Sequence, residues 1–414
     1  MADLLKAQYE ALPYPRRDPD DERRRVIMTQ LERLPAINHF VFGGDLHRAR
    51  PLRALVAGGG TGDALIALAC QLRAAEMPGE VVYIDLSEAS REIARARAAM
   101  HGLDNVRFET GSFLEPGRFA AASFDYINCS GVLHHLESPA EGLRALARLL
   151  RPLGGMGLML YGVLGRTGVY PAQELLQLIA PPTLAVSERV RLARKFLAGL
   201  PATNWLRRNT AMSEGTPDDA ELFDYLLHSR DRAYSVEEAG GLAAAAGLRV
   251  VSFIPPAVYR PGYFLKDAEL LGPLSVLDPL AQAACAEKLS GCFAKHEFYT
   301  VLAANSVTAP DFRDPDCIPL FDGFPAIPAQ GGKVEIAVMD DSFKLAVNLP
   351  ETWVRVLRQI DGVRCLGDIY GLSGLGDEEF KAAWTDIYAF MHGHGYIHLS
   401  RQPMPKLQFQ PSFR

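Results

Sequence analysis

A short apolar run, Leu52–Ala57, breaks into Gly58-Gly59-Gly60-Thr61-Gly62 and continues as an Ala/Leu-rich helical stretch to about Ala75. Glycines let a backbone turn sharply and let a ligand approach it closely, and the helix N-terminus adds a favourable field. The same rhythm then repeats. Residues 80–86 are β-branched and aromatic, and a helical stretch runs from Ser87 to about His101. Val106–Thr110 and residues 124–129 are two more short strands, residues 140–150 are helical, and 155–161 is a fifth strand. Strands alternating with helices at this spacing predict a parallel α/β sheet covered on both faces. The strands are apolar almost throughout, which fits burial on both sides.

The spacing of the turn separates two ligand classes. A dinucleotide fingerprint GxGxxG begun at Gly58 would place its third glycine at Asp63, where a side chain obstructs close helix–strand packing. GxGxG, ending at Gly62, is the form used for S-adenosylmethionine. Asp85, at the end of the second strand, can accept hydrogen bonds from two ribose hydroxyls. Leu86 follows it, and Ser87 is the better helix cap. The turn Gly111-Ser112-Phe113 after the third strand lies where an adenine would sit. Asn128, Ser130 and Gly131 end the fourth strand at the mouth of the crevice, followed by His134-His135.

In this order the elements resemble the class I S-adenosylmethionine-dependent methyltransferases, strongly over residues 50–162. The resemblance implies a Rossmann-like seven-stranded sheet, with strands at Leu248–Ile254 and 298–304 as its closing antiparallel pair. It also implies S-adenosylmethionine as cofactor, held by Gly58, Gly59, Gly60, Thr61, Gly62, Asp63, Asp85, Leu86, Gly111, Ser112, Phe113, Asn128, Ser130 and Gly131. That family usually has an acidic residue two positions before the first glycine. Here the position is Val56, and Asp63 is the candidate substitute. Segments Tyr9–Pro15, 83–87, 222–234 and 295–299 further resemble bacterial methyltransferases with a predicted regulatory region. Some of those are protein lysine methyltransferases.

The rest of the chain divides accordingly. Residues 1–49 are an N-terminal arm and helix, and 50–305 the methyltransferase domain with a helical cap insertion at 163–235. Residues 306–332, with five prolines and three glycines, read as a linker. Residues 333–414 read as a small winged-helix-like module, with strands at 334–339 and Phe343–Leu349 flanking Asp340-Asp341-Ser342, helices at 350–361 and 376–392, and a strand at 396–400. Its sparse Lys and Arg favour dimerisation or partner recognition over DNA binding.

Three residues are candidates for catalysis. His134 follows the crevice directly and can hold an acceptor's proton; the alternative is that it and His135 fill space beside a local helix. Tyr14 lies in the arm, which either folds over the cofactor or packs on the surface. His228 lies in the cap beside Arg230, Arg232 and Tyr234, which either grip an acidic substrate or form a solvated run. His296 and Tyr299 either reach the acceptor pocket or are strand residues. No metal site is expected: the six cysteines form no CxxC pair, and the histidines at 392, 394 and 398 have no fourth ligand nearby and are expected on the surface.

Composition narrows the acceptor. A net charge of −6 over 414 residues argues against nucleic acid. No apolar run reaches membrane-span length, and scattered thiols fit a reducing cytoplasm. The expected activity is methyl transfer to a nitrogen or oxygen of a protein side chain. A small-molecule acceptor and a non-catalytic binding protein are the alternatives.

Overall fold

The computed structural model describes residues 2–47, 49–209, 217–323, 327, 331–338, 343–404 and 411–412. Its centre is a seven-stranded sheet of β1 (Leu52–Ala57), β2 (Gly79–Asp85), β3 (Val106–Thr110), β4 (Phe124–Ser130), β5 (Leu150–Tyr161), β6 (Leu248–Ile254) and β7 (Lys295–Leu302). The order across the sheet is β3-β2-β1-β4-β5-β7-β6. The first five strands are parallel, and β7 runs antiparallel to both β5 and β6. Strand order reverses between β1 and β4, so a crevice opens at their carboxyl ends, the usual ligand position in such sheets.

Helices α1 (Ala2–Ala11) and α2 (Leu34–Phe42) precede the sheet. Helices α3 (Asp63–Ala74), α4 (Glu88–Met100) and α5 (Pro139–Leu149) connect its parallel strands. Alternate strand residues feed opposite cores. Leu55, Ala57, Val82, Ile84, Ile127 and Cys129 pack with Leu143 and Leu146 of α5. Ala54, Val56, Val81, Tyr83 and Tyr126 pack with Leu65 and Leu68 of α3 and Ile37 and Val41 of α2. That two-residue alternation is the strand period, doubled by coverage of both faces.

Two strand limits differ from expectation. β5 begins at Leu150, because Leu150 already pairs with Phe124 ahead of an irregularity in register. β7 begins at Lys295, which pairs with Tyr161 at the far end of β5.

The cap contains α6 (Val169–Ile179), α7 (Val186–Gly199) and a π-turn at Phe223–Leu227, which share a separate apolar core. Both its ends meet at the end of β5: the Tyr234 amide donates to Tyr161 O at 2.8 Å, and the Val163 amide to Tyr234 O at 3.1 Å. Helix α8 (Val236–Ala245) then leads into β6, and α9 (Pro279–Ser290) precedes β7.

The stretch read as a linker contains a strand, β8 (Ile318–Phe321). Beyond it lie the hairpin β9 (Gly332–Val338) and β10 (Phe343–Leu349), helices α10 (Glu351–Leu357), α11 (Leu366–Ser373) and α12 (Asp377–Gly393), and β11 (Ile397–Ser400). The hairpin turn at 340–342 lies outside the described residues. β8 pairs antiparallel with β11. β11 is also fastened to α2, where Asn38 Nδ2 donates to Ser400 Oγ at 2.9 Å and the Leu399 amide to His39 Nδ1 at 3.1 Å. Arg33 and Asp322 form a buried ion pair at 2.5 Å beside them.

This docking corrects the expectation of surface histidines. His394 and His398 are buried, and His392 stacks on Tyr388 with ring centroids 4.7 Å apart. His39, His392 and His398 lie within 5.8 Å of one another, ring to ring.

Candidate active site

The glycine turn joins β1 to α3. Gly58, Gly60 and Gly62 have φ of +72°, +50° and +104°, the left-handed region that side chains disfavour. A Cβ at Gly58 would overlap Val132 of the turn after β4, so the two walls of the crevice touch there. The amides of Gly58 and Gly59 donate to Ile84 O at 2.8 and 3.1 Å, and Tyr83 Oη donates to Gly60 O at 2.7 Å.

Asp85 stands beside this turn. Its Oδ2 accepts from the Gly60 amide and its Oδ1 from the Ser87 amide, each at 2.9 Å. Burial pushes its carboxyl up, against the pull of those backbone donors. Leu86 follows, half-buried. The Gly111 amide donates to Asp85 O at 2.8 Å, which brings Gly111, Ser112 and the half-buried Phe113 to the same rim.

The arm crosses the turn. Thr61 Oγ1 donates to Pro15 O at 2.7 Å, and a Cβ on Gly60 would stand 2.6 Å from Tyr14 O. The Glu10 carboxylate caps α4, accepting from the amides of Glu88 and Ala89 at 2.6 and 3.1 Å. Such a negative group at a helix N-terminus is favourable.

Two expected cofactor contacts are turned elsewhere. Asp63 accepts from Arg17 Nε at 2.8 Å and from Arg97 at 2.7 Å. Burial raises its carboxyl, but the two guanidiniums outweigh that and hold it below the usual range. Arg97 in turn reaches Glu22 at 2.6 Å and Thr61 O at 2.8 Å. Asp63 therefore fastens the arm, its carboxylate shared between two guanidiniums rather than left open to the crevice. Asn128 Nδ2 donates to Glu32 Oε1 at 2.7 Å, inside the fold. Burial raises the Glu32 carboxyl, and hydrogen bonds from Thr29 and Asn128 oppose the rise. Ser130 ends β4 and Gly131 follows it with φ +76°.

All three catalytic candidates enter one buried cluster or lie against it. His134 is 1% exposed and stacks on Tyr161 with centroids 4.0 Å apart. His135 stacks on His228 at 3.8 Å. His228 Nδ1 accepts from the Arg230 amide at 3.0 Å, so its proton sits on Nε2, facing Tyr9 Oη at 3.3 Å. Tyr9 Oη and Tyr161 Oη each donate to Asp224, at 3.1 and 3.0 Å. Tyr14 is placed close enough that burial first, and Asp224 second, raise its phenol pKa. Burial pushes His134 and His228 well below the usual imidazole range, so both are neutral at neutral pH.

Sequence reasoning missed Tyr9, Asp224, His135 and Tyr161 as members. Tyr161 had a signal in its place at the carboxyl end of a strand of the sheet, His135 in its position next to His134, and Tyr9 and Asp224 in lying within segments that carry the resemblance. His296 and Tyr299 are core residues. The His296 ring lies between Tyr259 Oη at 3.0 Å and Tyr234 O at 3.2 Å, and Tyr299 stacks on Phe40.

Residues 55–156 match the family described as a methyltransferase domain. The chain carries a class I S-adenosylmethionine-dependent methyltransferase domain. Among solved structures, this chain is similar to PKMT2 of Rickettsia typhi in complex with AdoHcy. The TM-score is 0.66 over 90% of this chain and 76% of that one, at 16% identity, a likeness of fold. Among curated proteins it is 29% identical over 272 residues to an uncharacterised protein of Synechococcus, covering 64% of this chain and 63% of that one. It is 32% identical over 71 residues to the ubiquinone biosynthesis O-methyltransferase of Neisseria meningitidis, 17% of this chain and 30% of that one. The chain thus spans less than two thirds of the length of these curated relatives. Among the described residues, no helix is long and apolar enough to cross a membrane.

Proposed function

We propose that this chain transfers the methyl group of S-adenosylmethionine to a nucleophilic nitrogen or oxygen of a protein side chain. When bound, the cofactor supplies a methyl group on a sulfonium, open to in-line attack. The chain's own residues have to align the acceptor and exclude water.

The crevice residues fit such a cofactor. Each Asp85 oxygen accepts one backbone N–H, and a carboxylate has about four lone-pair sites. Lone pairs therefore remain for two ribose hydroxyls. Gly58–Gly62 would floor the cofactor, and Gly111, Ser112 and Phe113 would border its adenine. His134, buried and neutral, is assigned the acceptor's proton, with Tyr161 setting its ring plane. Tyr14 and the cap close the mouth.

The observation that carries the protein acceptor is the extent of the likeness to PKMT2. It runs over 90% of the chain, well past the methyltransferase core, as the resemblance to methyltransferases with a regulatory region leads one to expect. A small-molecule acceptor is the second reading, favoured by the local identity to a ubiquinone biosynthesis O-methyltransferase.

The test is incubation of the purified chain and radiolabelled S-adenosylmethionine with a bacterial lysate, separated by size. Label in protein bands that depends on the chain is expected. Label confined to the small-molecule fraction would sink the protein acceptor and support the second reading. Failure to bind S-adenosylhomocysteine in calorimetry would remove both.

A further inference from the structure

The buried cluster holds more ligating atoms than its hydrogen bonds use. Facing atoms of His134, His135 and Asp231 lie within 4.8 Å of one another, as do those of His135, Asp224 and His228. Hydrogen bonding separates the two groups. His228 accepts the Arg230 amide at Nδ1, so its Nε2 carries a proton and has no lone pair to give. Both Asp224 oxygens already accept phenol protons. The second group therefore lacks a free imidazole lone pair at His228.

The first group differs. Among the described residues, neither His134 nitrogen has a hydrogen-bond partner, although the residue is 1% exposed. Orphaned buried polar atoms of this kind call for a missing partner. The Asp231 side chain is fully buried; its Oδ2 accepts from Arg166 at 2.7 Å and Gln173 at 3.0 Å, while its Oδ1 has no partner. His135 Nδ1 lies 2.8 Å from Arg230 O, so it donates there and leaves the Nε2 lone pair free. A backbone carbonyl behind an imidazole is the arrangement that orients a ligating histidine.

We propose that His134, His135 and Asp231 form a binding site for one divalent transition ion of the zinc class. Two imidazoles and a carboxylate suit zinc, with a fourth position open. Ligand atoms on a tetrahedral zinc stand about 3.4 Å apart, given bonds of about 2.0–2.1 Å. The present atoms lie within 4.8 Å of one another, so binding draws them together. The carboxylates of Asp224 and Asp231 supply negative charge in the cluster, with the Arg166 guanidinium paired to Asp231 through Oδ2 and Oδ1 left over. With an ion bound, His134 would be a ligand and would no longer take the acceptor's proton; the chemistry the ion would supply there is that of a Lewis acid. The site rests on its own geometry and stands whether or not the acceptor is a protein.

The tag-free full chain, stripped with a chelator, is titrated with zinc by calorimetry and with cobalt by visible absorption. One zinc per chain is expected, with tetrahedral cobalt bands. His134→Ala, which breaks no hydrogen bond, should weaken zinc affinity at least 100-fold, and Asp231→Asn should do likewise while circular dichroism stays native. His228→Gln should keep the affinity within threefold. No saturable uptake by the wild type would overturn the proposal, as would uptake unchanged in His134→Ala. These readouts need no cofactor, so their failure is distinct from failure of the methyl-transfer proposal.

Discussion

Asp85→Ala separates the cofactor role of this carboxylate from its role in the fold. In the fold, the substitution strips acceptors from the amides of Gly60 and Ser87, each at 2.9 Å. Hydrogen bonds to charged groups contribute about 1.5–3 kcal/mol each. Two effects reduce the loss. Gly60 is half-exposed, so water can replace its acceptor, and burial already holds the carboxyl pKa up, so removing the charge relieves a desolvation cost. The net loss of stability is about 1–3 kcal/mol by the same scale. Binding has no such relief. Two ribose hydroxyls on a carboxylate are worth about 3–6 kcal/mol together, roughly a 10²–10⁴-fold change in affinity. Urea unfolding gives the first quantity, and calorimetry with S-adenosylhomocysteine the second. A folded variant that binds within twofold of the wild type would refute the placement of the ribose.

Gly58→Ala meets both a φ of +72° and the side chain of Val132, so a loss of about 1–3 kcal/mol in urea unfolding is expected. Adding Val132→Ala should restore the steric part only, and full additivity of the two changes would contradict the contact. The docking of the terminal unit should be sensitive to acid. Burial depresses His39, and pushes His392 down to about 3. The unfolded chain therefore binds more protons, and stability is complete above about pH 6.5 and lost as pH falls toward 3. The slope is up to about 1.4 kcal/mol per pH unit for each histidine, and buried His134 and His228 add to it with the same sign. Urea midpoints at pH 7.5 and 5.0 should differ, less so in His392→Phe. Equal midpoints in the wild type would count against the burial of these rings.

The strands β1 to β5, their helices and the glycine turn were legible because each is a local pattern. A two-residue or helical period, a short apolar run or a residue able to take positive φ is visible within about ten positions. Strand ends were less legible. β5 starts five residues early because Phe124, on another strand, gives Leu150 a partner. β8 was hidden among prolines, since its reason to be extended is β11, far along the chain.

Side-chain commitments were the least legible part of the site. Asp63 and Asn128 have the right chemistry at the right positions, but Arg17 and Arg97 take the first and Glu32 the second. Asp224 lies in a π-turn within the segment 222–234, but only folding brings it to Tyr9, 215 positions away.

The sequence by itself determined the α/β architecture, the ligand class of its turn and Asp85 as the carboxylate beside it. These follow from backbone geometry and spacing within one strand–turn–helix unit. Only the tertiary structure decided which polar groups are spent and which are free. Arg33 finds Asp322 across 289 positions and Asn38 finds Ser400 across 362. A buried polar atom must have a partner, but no local rule says where in the chain that partner lies.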